Sequence, residues 1–135
     1  MAFTLRQKVL FKHCDPAGIV FYPRYFEMIN DTVETFFDQR LRVPFEDLHR
    51  GGAVPTAQIE TTFHAPSRHG DLLDITLICK RLGRSSLKLE FVALSQDQQR
   101  FTATSTLVYV GTDGRPLGWP DQLRDRLTHE LGVTS

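Results

Sequence analysis

Hydrophobic and polar residues follow two different periods in the first third of the chain. Between residues 3 and 13 apolar and polar positions alternate, with breaks at Gln7 and Leu10, and a period of two predicts a β-strand. From about Tyr22 to Gln39 apolar residues recur every three or four positions, which predicts one helix with an aromatic-rich apolar face. At 1.5 Å per residue this helix would be roughly 25 Å long, and its aromatic content is typical of a core helix.

Strand-like segments dominate the second half of the sequence. Four are predicted, separated by residues typical of turns, at about 54–64, 72–82, 85–95 and 100–111. Short connections between the last three predict antiparallel pairing of neighbouring strands. The order strand, helix, four strands is typical of the α+β class, and it predicts an antiparallel sheet that curves around the long helix.

Two further segments are predicted to be mostly irregular, each with a short helix. Residues 40–53 contain a Gly pair, and a helical turn is expected from Phe45 to His49. The C-terminal extension, at about 112–135, carries Pro120 at a position typical of a helix start, followed by leucines four apart. We expect this helix to dock on the sheet or on a partner subunit, and the whole chain to form a single domain.

The composition excludes several classes of protein. The chain has 135 residues, and 16 basic against 16 acidic side chains give a formal net charge of zero, which argues against a general affinity for nucleic acid or an anionic membrane. Cys14 and Cys79 are too few for a disulfide framework. The sequence shows neither a signal-peptide pattern nor an apolar run that could span a membrane, so a cytoplasmic protein is expected.

Asp15 is the residue with the clearest chemical potential. It opens Asp-Pro-Ala-Gly, a sequence typical of a type I turn, and Pro23 further on fits the first turn of a helix. A carboxylate beside free helix N–H groups can serve as a base or nucleophile next to donors for an oxyanion, with N–H groups near Tyr22 as the expected donors. An Asp-Pro turn is also a common structural motif, so the turn alone leaves a purely structural role open.

A basic turn is the second chemical feature. Residues 80–88 read Lys-Arg-Leu-Gly-Arg-Ser-Ser-Leu-Lys, four cations with two hydroxyls and a glycine. Arginine with hydroxyl and backbone donors suits the phosphates of coenzyme A, and a solvated strand edge protected by charge is an equally good explanation. His13 could line a site beside the Asp15 turn. His64 and His69 lack metal-ligand spacing, and the sequence contains no nucleophile elbow, Walker loop or dinucleotide fingerprint.

The stretch from Asp15 to Phe26, Asp-Pro-Ala-Gly-Ile-Val-Phe-Tyr-Pro-Arg-Tyr-Phe, resembles the hotdog-fold thioesterases, specifically the 4-hydroxybenzoyl-CoA thioesterase group. Element order and length agree with that family as far as Gly111. The resemblance implies a hotdog fold, in which a five-stranded antiparallel sheet wraps around a long central helix. It also implies an acyl-CoA substrate, no cofactor other than the coenzyme A of that substrate, no metal, and homodimers that usually pair into homotetramers with active sites at subunit interfaces.

The resemblance also implies roles for individual residues. Asp15 would be the nucleophile or general base, the Tyr22 backbone N–H would polarise the thioester carbonyl, and Gly18 would shape the turn beside them. The expected substrate-binding residues are Ile19, Phe21, Asn30, Val54 and Pro55. Arg84, Ser85 and Ser86 would bind the phosphates of coenzyme A.

Three departures from the family pattern affect the expected substrate. Asn30 stands where the family enzyme has an acid that reads the ring hydroxyl, Val54 replaces a hydroxyl residue, and Gly83 and Ser85 replace bases in the basic turn. The sequence therefore predicts a thioesterase for a benzoyl-type, hydroxybenzoyl-type or short-chain acyl-CoA. A non-catalytic acyl-CoA binding module and a thioesterase acting on acyl-carrier protein stay open. A hotdog dehydratase is disfavoured, because Pro-Ala-Gly follows Asp15 with no histidine soon after it.

Overall fold

The computed structural model describes residues 2–134, with side chains as far as Leu131. Its elements are five strands, three α-helices and a single turn of 3-10 helix at Phe11–His13. In chain order they are β1 Phe3–Lys8, α1 Pro23–Gln39, α2 Phe45–Leu48, β2 Thr56–Phe63, β3 Leu72–Leu82, β4 Ser86–Ser95, β5 Gln98–Val108 and α3 Asp121–Thr134.

The five strands form one antiparallel sheet in the order β1-β3-β4-β5-β2. The meander of β3, β4 and β5 follows from their short connections. Residues Gln96 and Asp97 between β4 and β5 both have positive φ angles, 52° and 61°, as in the tightest hairpin turns. The predicted α+β class and the five-stranded antiparallel sheet are confirmed, with β1 and β2 at the two edges.

Helix α1 supplies one side of the core. The residues at its three-and-four spacing are buried against the sheet, and Phe36 and Phe37 are at most 1% exposed. The Phe36 ring lies 5.7 Å from that of Phe3 on β1. Thr32 is buried in the same helix, and its hydroxyl donates to the Met28 carbonyl at 2.8 Å, so no hydrogen-bonding capacity is lost there.

The first and last strands end earlier along the chain than the sequence predicts. β1 stops at Lys8, and residues 11–13 are 3-10 helix instead of strand, because the Leu10 N–H donates to His13 Nδ1 and the His13 N–H donates back to the Leu10 carbonyl. β5 ends at Val108, after which the chain makes only isolated bridges. β2 starts at Thr56 because Pro55 has no N–H to donate to a ladder.

The C-terminal helix docks on the sheet of its own chain. α3 packs against β3, and Leu123 and Leu127 are 4% and 0% exposed. Of the two docking partners expected from the sequence, the structure therefore shows the sheet. No helix of the described chain is long and apolar enough to cross a membrane.

Candidate active site

The Asp15 turn has the geometry that its sequence predicts, inside a small hairpin. The Gly18 N–H donates to the Asp15 carbonyl at 2.9 Å, and the Asp15 N–H donates to the Ile19 carbonyl at 2.9 Å. Gly18 has a φ of +80°, a conformation that favours glycine. A type I turn followed by a left-handed residue is a common three-residue hairpin, and it fixes the Asp15 backbone.

The Asp15 carboxylate is half-buried and only partly used by the protein. Its Oδ1 accepts the Ala17 N–H at 2.9 Å. Between residues 2 and 131 no group forms a hydrogen bond or an ion pair with the other oxygen. The carboxylate lines a cavity of about 300 Å³ with Lys12, Phe21 and Arg24 among its neighbours. One oxygen is thus held in place while the other is available to a substrate or a water molecule.

The start of α1 offers one free N–H where the sequence led us to expect several. Pro23 has none, and the Arg24 and Tyr25 N–H groups donate to the Phe21 and Tyr22 carbonyls at 2.8 and 3.1 Å. The Phe21 N–H donates to the His13 backbone carbonyl. The Tyr22 N–H has no acceptor among the described residues, so one of the N–H groups that the sequence predicts as donors is free to bind a ligand.

His13 lies beneath this site as a buried, neutral imidazole. It is 5% exposed, and burial, reinforced by the positive charge of Lys12, lowers its pKa. Because Nδ1 accepts the Leu10 N–H at 2.8 Å, the proton of the neutral ring is on Nε2. His13 therefore supports the backbone of the site and, as a neutral ring, adds no charge to it.

An apolar groove adjoins the free Tyr22 N–H. It has a volume of about 510 Å³ and is lined mainly by aromatic and aliphatic side chains, namely Ile19, Val20, Tyr22, Tyr25, Phe63, His64, Ala65 and Pro66. The Phe63 ring stacks on Tyr25 at 5.6 Å and meets Tyr22 edge-on at 5.9 Å. The sequence analysis does not predict Phe63 and His64 as residues of this groove, and the signal available in the sequence was their place at the end of a predicted strand.

Asn30 and Val54 share a separate cavity of about 240 Å³ between α1 and β2, together with Ile59. The structure thus brings these two predicted substrate residues together. Asn30 follows Tyr22 by eight residues, which is roughly 12 Å along a helix. The predicted substrate residue Pro55 follows Val54, and its carbonyl accepts the Val108 backbone N–H at 3.1 Å.

The basic turn lies at the opposite end of the sheet from Asp15. Ile19 bridges to Arg68, just before β3, and Arg84 follows the end of β3, whose 11 residues span roughly 33 Å at ~3.3 Å each. The Arg84 side chain is exposed and forms no ion pair within the described chain. A single protomer therefore does not bring Arg84, Ser85 and Ser86 to the Asp15 site.

The C-terminal segment holds the basic turn in place, which the sequence did not reveal. Arg124 on α3 donates to the Gly83 and Arg84 carbonyls at 2.8 and 2.9 Å. The Trp119 backbone N–H donates to the Arg84 carbonyl at 3.1 Å, and its indole N–H donates to the Ser86 carbonyl at 3.2 Å. The backbone of the basic turn is thus held by Trp119 and Arg124, which follow β5 in the chain.

Residues 9–127 match the profile of the thioesterase-like superfamily. The chain belongs to this superfamily. The predicted thioester-hydrolase class is therefore confirmed at the level of the family. No cluster of His, Cys, Asp or Glu suited to a metal ion occurs among the residues described for this thioesterase-like chain.

One curated relative of the thioesterase-like chain is named for an aromatic acyl-CoA. The 4-hydroxybenzoyl-CoA thioesterase of Pseudomonas sp. (strain CBS-3) is 27% identical over 88 residues, which cover 63% of this chain and 62% of that enzyme. The match thus spans less than two thirds of the length of that relative.

Solved structures show the same fold. A 1,4-dihydroxy-2-naphthoyl-CoA thioesterase from Synechocystis superposes with a TM-score of 0.87 at 16% identity, covering 95% of this chain and 96% of the other. A hypothetical protein from Staphylococcus aureus, solved in complex with CoA, gives 0.91 at 17% identity, covering 98% and 85%. The predicted hotdog fold is confirmed.

Proposed function

We propose that this thioesterase-like protein hydrolyses an aromatic acyl-CoA of the benzoyl or hydroxybenzoyl type to the free acid and coenzyme A. The observation that carries the proposal is that two unpaired groups lie at the same end of α1. They are one oxygen of the Asp15 carboxylate and, among the described residues, the N–H of Tyr22. A carboxylate and an unpaired donor are the two groups that acyl transfer from a thioester requires.

In the proposed reaction the thioester oxygen accepts the Tyr22 N–H. Asp15 then either attacks the carbonyl carbon, forming an anhydride that water opens, or removes a proton from an attacking water molecule. Both routes consume one water and break the C–S bond. The coenzyme A thiolate takes up one proton, and Asp15 gives the proton derived from water back to solvent, which restores its carboxylate. The positive end of the α1 dipole favours negative charge on the thioester oxygen.

The lining of the groove beside Tyr22 supports an aromatic acyl group. The Phe63 ring lies 5.6 Å from that of Tyr25 and 5.9 Å from that of Tyr22, and aromatic groups favour such offset or edge-on packing. The similarity to thioesterases for 4-hydroxybenzoyl-CoA and 1,4-dihydroxy-2-naphthoyl-CoA agrees with this choice.

The arrangement of the chain favours a dimer in which two protomers share each site. β2 is an edge strand that is exposed along most of its length, with Ile59 and Phe63 38% and 45% exposed, and such an edge is a template for pairing with another strand. Antiparallel pairing of two copies of β2 would place the Asp15 end of one protomer beside the Arg84 end of its partner. Two such dimers would form the expected homotetramer.

The proposal is tested by Asp15→Asn, which keeps an acceptor for the Ala17 N–H and removes the charge. We expect kcat on benzoyl-CoA and hydroxybenzoyl-CoA to fall by about 10²–10⁴, with little change in binding of a non-hydrolysable CoA thioether. Asp113→Asn is a matched control, since Asp113 accepts the Arg115 N–H at 2.9 Å in an equivalent turn. Unchanged turnover in the Asp15 variant would contradict the mechanism.

The same assay separates the alternatives. Tight CoA binding without hydrolysis by the native protein would identify a binding module, and hydrolysis of acyl-carrier protein but not of free CoA esters would identify a different carrier. Mixing Asp15→Asn with Arg84→Ala protomers tests the shared site, because a mixed dimer regains one site with both residues. Failure of the mixture to regain activity at low substrate concentration would place both residues in one protomer.

A further inference from the structure

An ion pair between a buried arginine and a half-buried aspartate lies behind the groove and outside the proposed reaction. Arg100 on β5 has a side chain only 7% exposed, and its Nη1 lies 2.7 Å from Oδ2 of Asp71. Its Nε is buried with no hydrogen-bond partner in the described chain. Burying a guanidinium with an unsatisfied N–H is costly, so its position calls for an explanation.

A β-bulge directs Arg100 into the protein. Ala93 pairs with Phe101 and Leu94 pairs with Gln99, which leaves Arg100 as the extra residue of β5. Arg100 and Phe101 are consecutive and both buried, whereas neighbours in a regular strand point to opposite faces. Bulges commonly re-aim a side chain close to a functional site.

Arg100 and Asp71 together fix the loop that connects β2 with β3. Arg100 Nη1 also donates to the Pro66 carbonyl at 3.1 Å. The Arg68 N–H donates to Asp71 Oδ2 at 2.9 Å. This bond and the one from the Arg100 guanidinium lower the pKa of Asp71, so its carboxylate stays ionised. The segment from Pro66 to Asp71 is therefore held at both ends by one ion pair.

Ser67, in the middle of this loop, contacts both elements that flank the Tyr22 N–H. It is 0% exposed. Its carbonyl accepts the Val20 N–H at 2.8 Å, and its hydroxyl accepts the Tyr25 hydroxyl at 3.0 Å. Val20 precedes Tyr22 in the hairpin and Tyr25 lies in the first turn of α1, so Ser67 sets the spacing between them.

We propose that Arg100, Ser67 and Tyr25 are positioning residues that set the direction of the Tyr22 N–H in the acyl-transfer site. The inference rests on the proposed function for its kinetic consequence. A donor aimed at a developing oxyanion acts mainly in the transition state, so disturbing this network lowers kcat and leaves KM nearly unchanged. The Tyr25–Ser67 bond connects the network to the helix, and Arg100 supports it from the sheet.

The experiment compares two variants with two matched controls. Tyr25→Phe removes only a hydroxyl, and Arg100→Met removes the charge that holds the loop. Thr76→Val and Arg6→Met remove a hydroxyl contact, 3.0 Å from Thr4, and an ion pair, 2.9 Å from Asp74, both solvent-exposed and at the β1 edge of the sheet, away from the groove. Each variant is assayed for kcat and KM below its unfolding temperature, and its backbone amides are recorded by ¹H–¹⁵N NMR.

We expect kcat to fall about tenfold in Tyr25→Phe and further in Arg100→Met, short of the 10²–10³ lost with a whole oxyanion donor. KM should change less than twofold, and the Val20 and Tyr22 amide signals should shift in these variants and not in the controls. Unshifted amides, or losses equal to those of the controls, would overturn the inference. The amide signals decide it even where the native protein hydrolyses no CoA ester, an outcome that refutes only the proposed function.

Discussion

Replacing Arg124 with Met should weaken coenzyme A binding without touching the groups that perform the reaction. Its two hydrogen bonds to the Gly83 and Arg84 carbonyls hold the basic turn. A partly buried hydrogen bond contributes about 1 kcal/mol, so their loss costs the turn about 2 kcal/mol. The turn keeps the Gly83 N–H to Ser86 bond at 2.9 Å and both Trp119 contacts, so it loosens and does not unfold.

If about half of that energy is transmitted to phosphate binding, roughly 1 kcal/mol, KM rises about fivefold. kcat should stay within twofold, because phosphate contacts are made equally in the ground and transition states. The assay is steady-state hydrolysis of benzoyl-CoA with detection of the released thiol.

Arg126→Met is the matched control for this prediction. Arg126 lies on the same helix and donates to the Leu41 carbonyl at 2.7 Å, far from the basic turn. We expect it to lower the unfolding temperature with KM unchanged. An unaltered KM in the Arg124 variant, or an equal rise in both variants, would refute the assignment of the basic turn to coenzyme A.

Three further predictions concern stability and thiol chemistry. Leu127→Ala should cost about 2–4 kcal/mol in urea unfolding, because the side chain is fully buried beneath α3; a cost below 1 kcal/mol would mean that α3 is loosely docked. Because the pKa of Asp71 is lower in the folded protein, its ionised carboxylate stabilises the fold above the unfolded pKa of about 3.9. This stabilisation is lost as the pH falls through the lower folded pKa, so in Asp71→Asn the urea midpoint should decline less steeply under acid. Burial raises the pKa of Cys79 to about 12, so Ellman's reagent at pH 8 should label it only on unfolding, whereas half-buried Cys14 reacts in the native protein.

Features that depend on neighbouring residues could be predicted from the sequence. The Asp15 turn follows from Asp, Pro and Gly at fixed positions, and α1 follows from a three-and-four spacing of apolar residues. The tail helix was predicted from Pro120 and the leucines after it. In each case the hydrogen bonds or buried faces involve residues close together in the chain.

Features that depend on distant contacts could not be predicted in this way. The bulge at Arg100 is a slip of one residue between two strands, and its ion pair reaches Asp71, 29 residues away. Arg124 meets Gly83 across 41 positions. The sequence predicts several free N–H groups near Tyr22. Only the hydrogen bonds of the Arg24 and Tyr25 N–H groups in the structure show that these two are occupied and that the Tyr22 N–H is free.

The link between β5 and α3 has a consequence for limited proteolysis. Residues 112–117 are exposed, and exposed loops are the preferred sites of cleavage. A cut there would leave the five-stranded sheet and the Asp15 hairpin continuous, while α3 would be held by non-covalent contacts alone, which include its packing on β3 and the hydrogen bonds of Arg124 and Arg126. Cleavage that lets this segment dissociate should therefore raise KM for a CoA ester, because the proposed coenzyme A site would lose the Arg124 contacts that hold the basic turn, while Asp15 and Tyr22 stay in place.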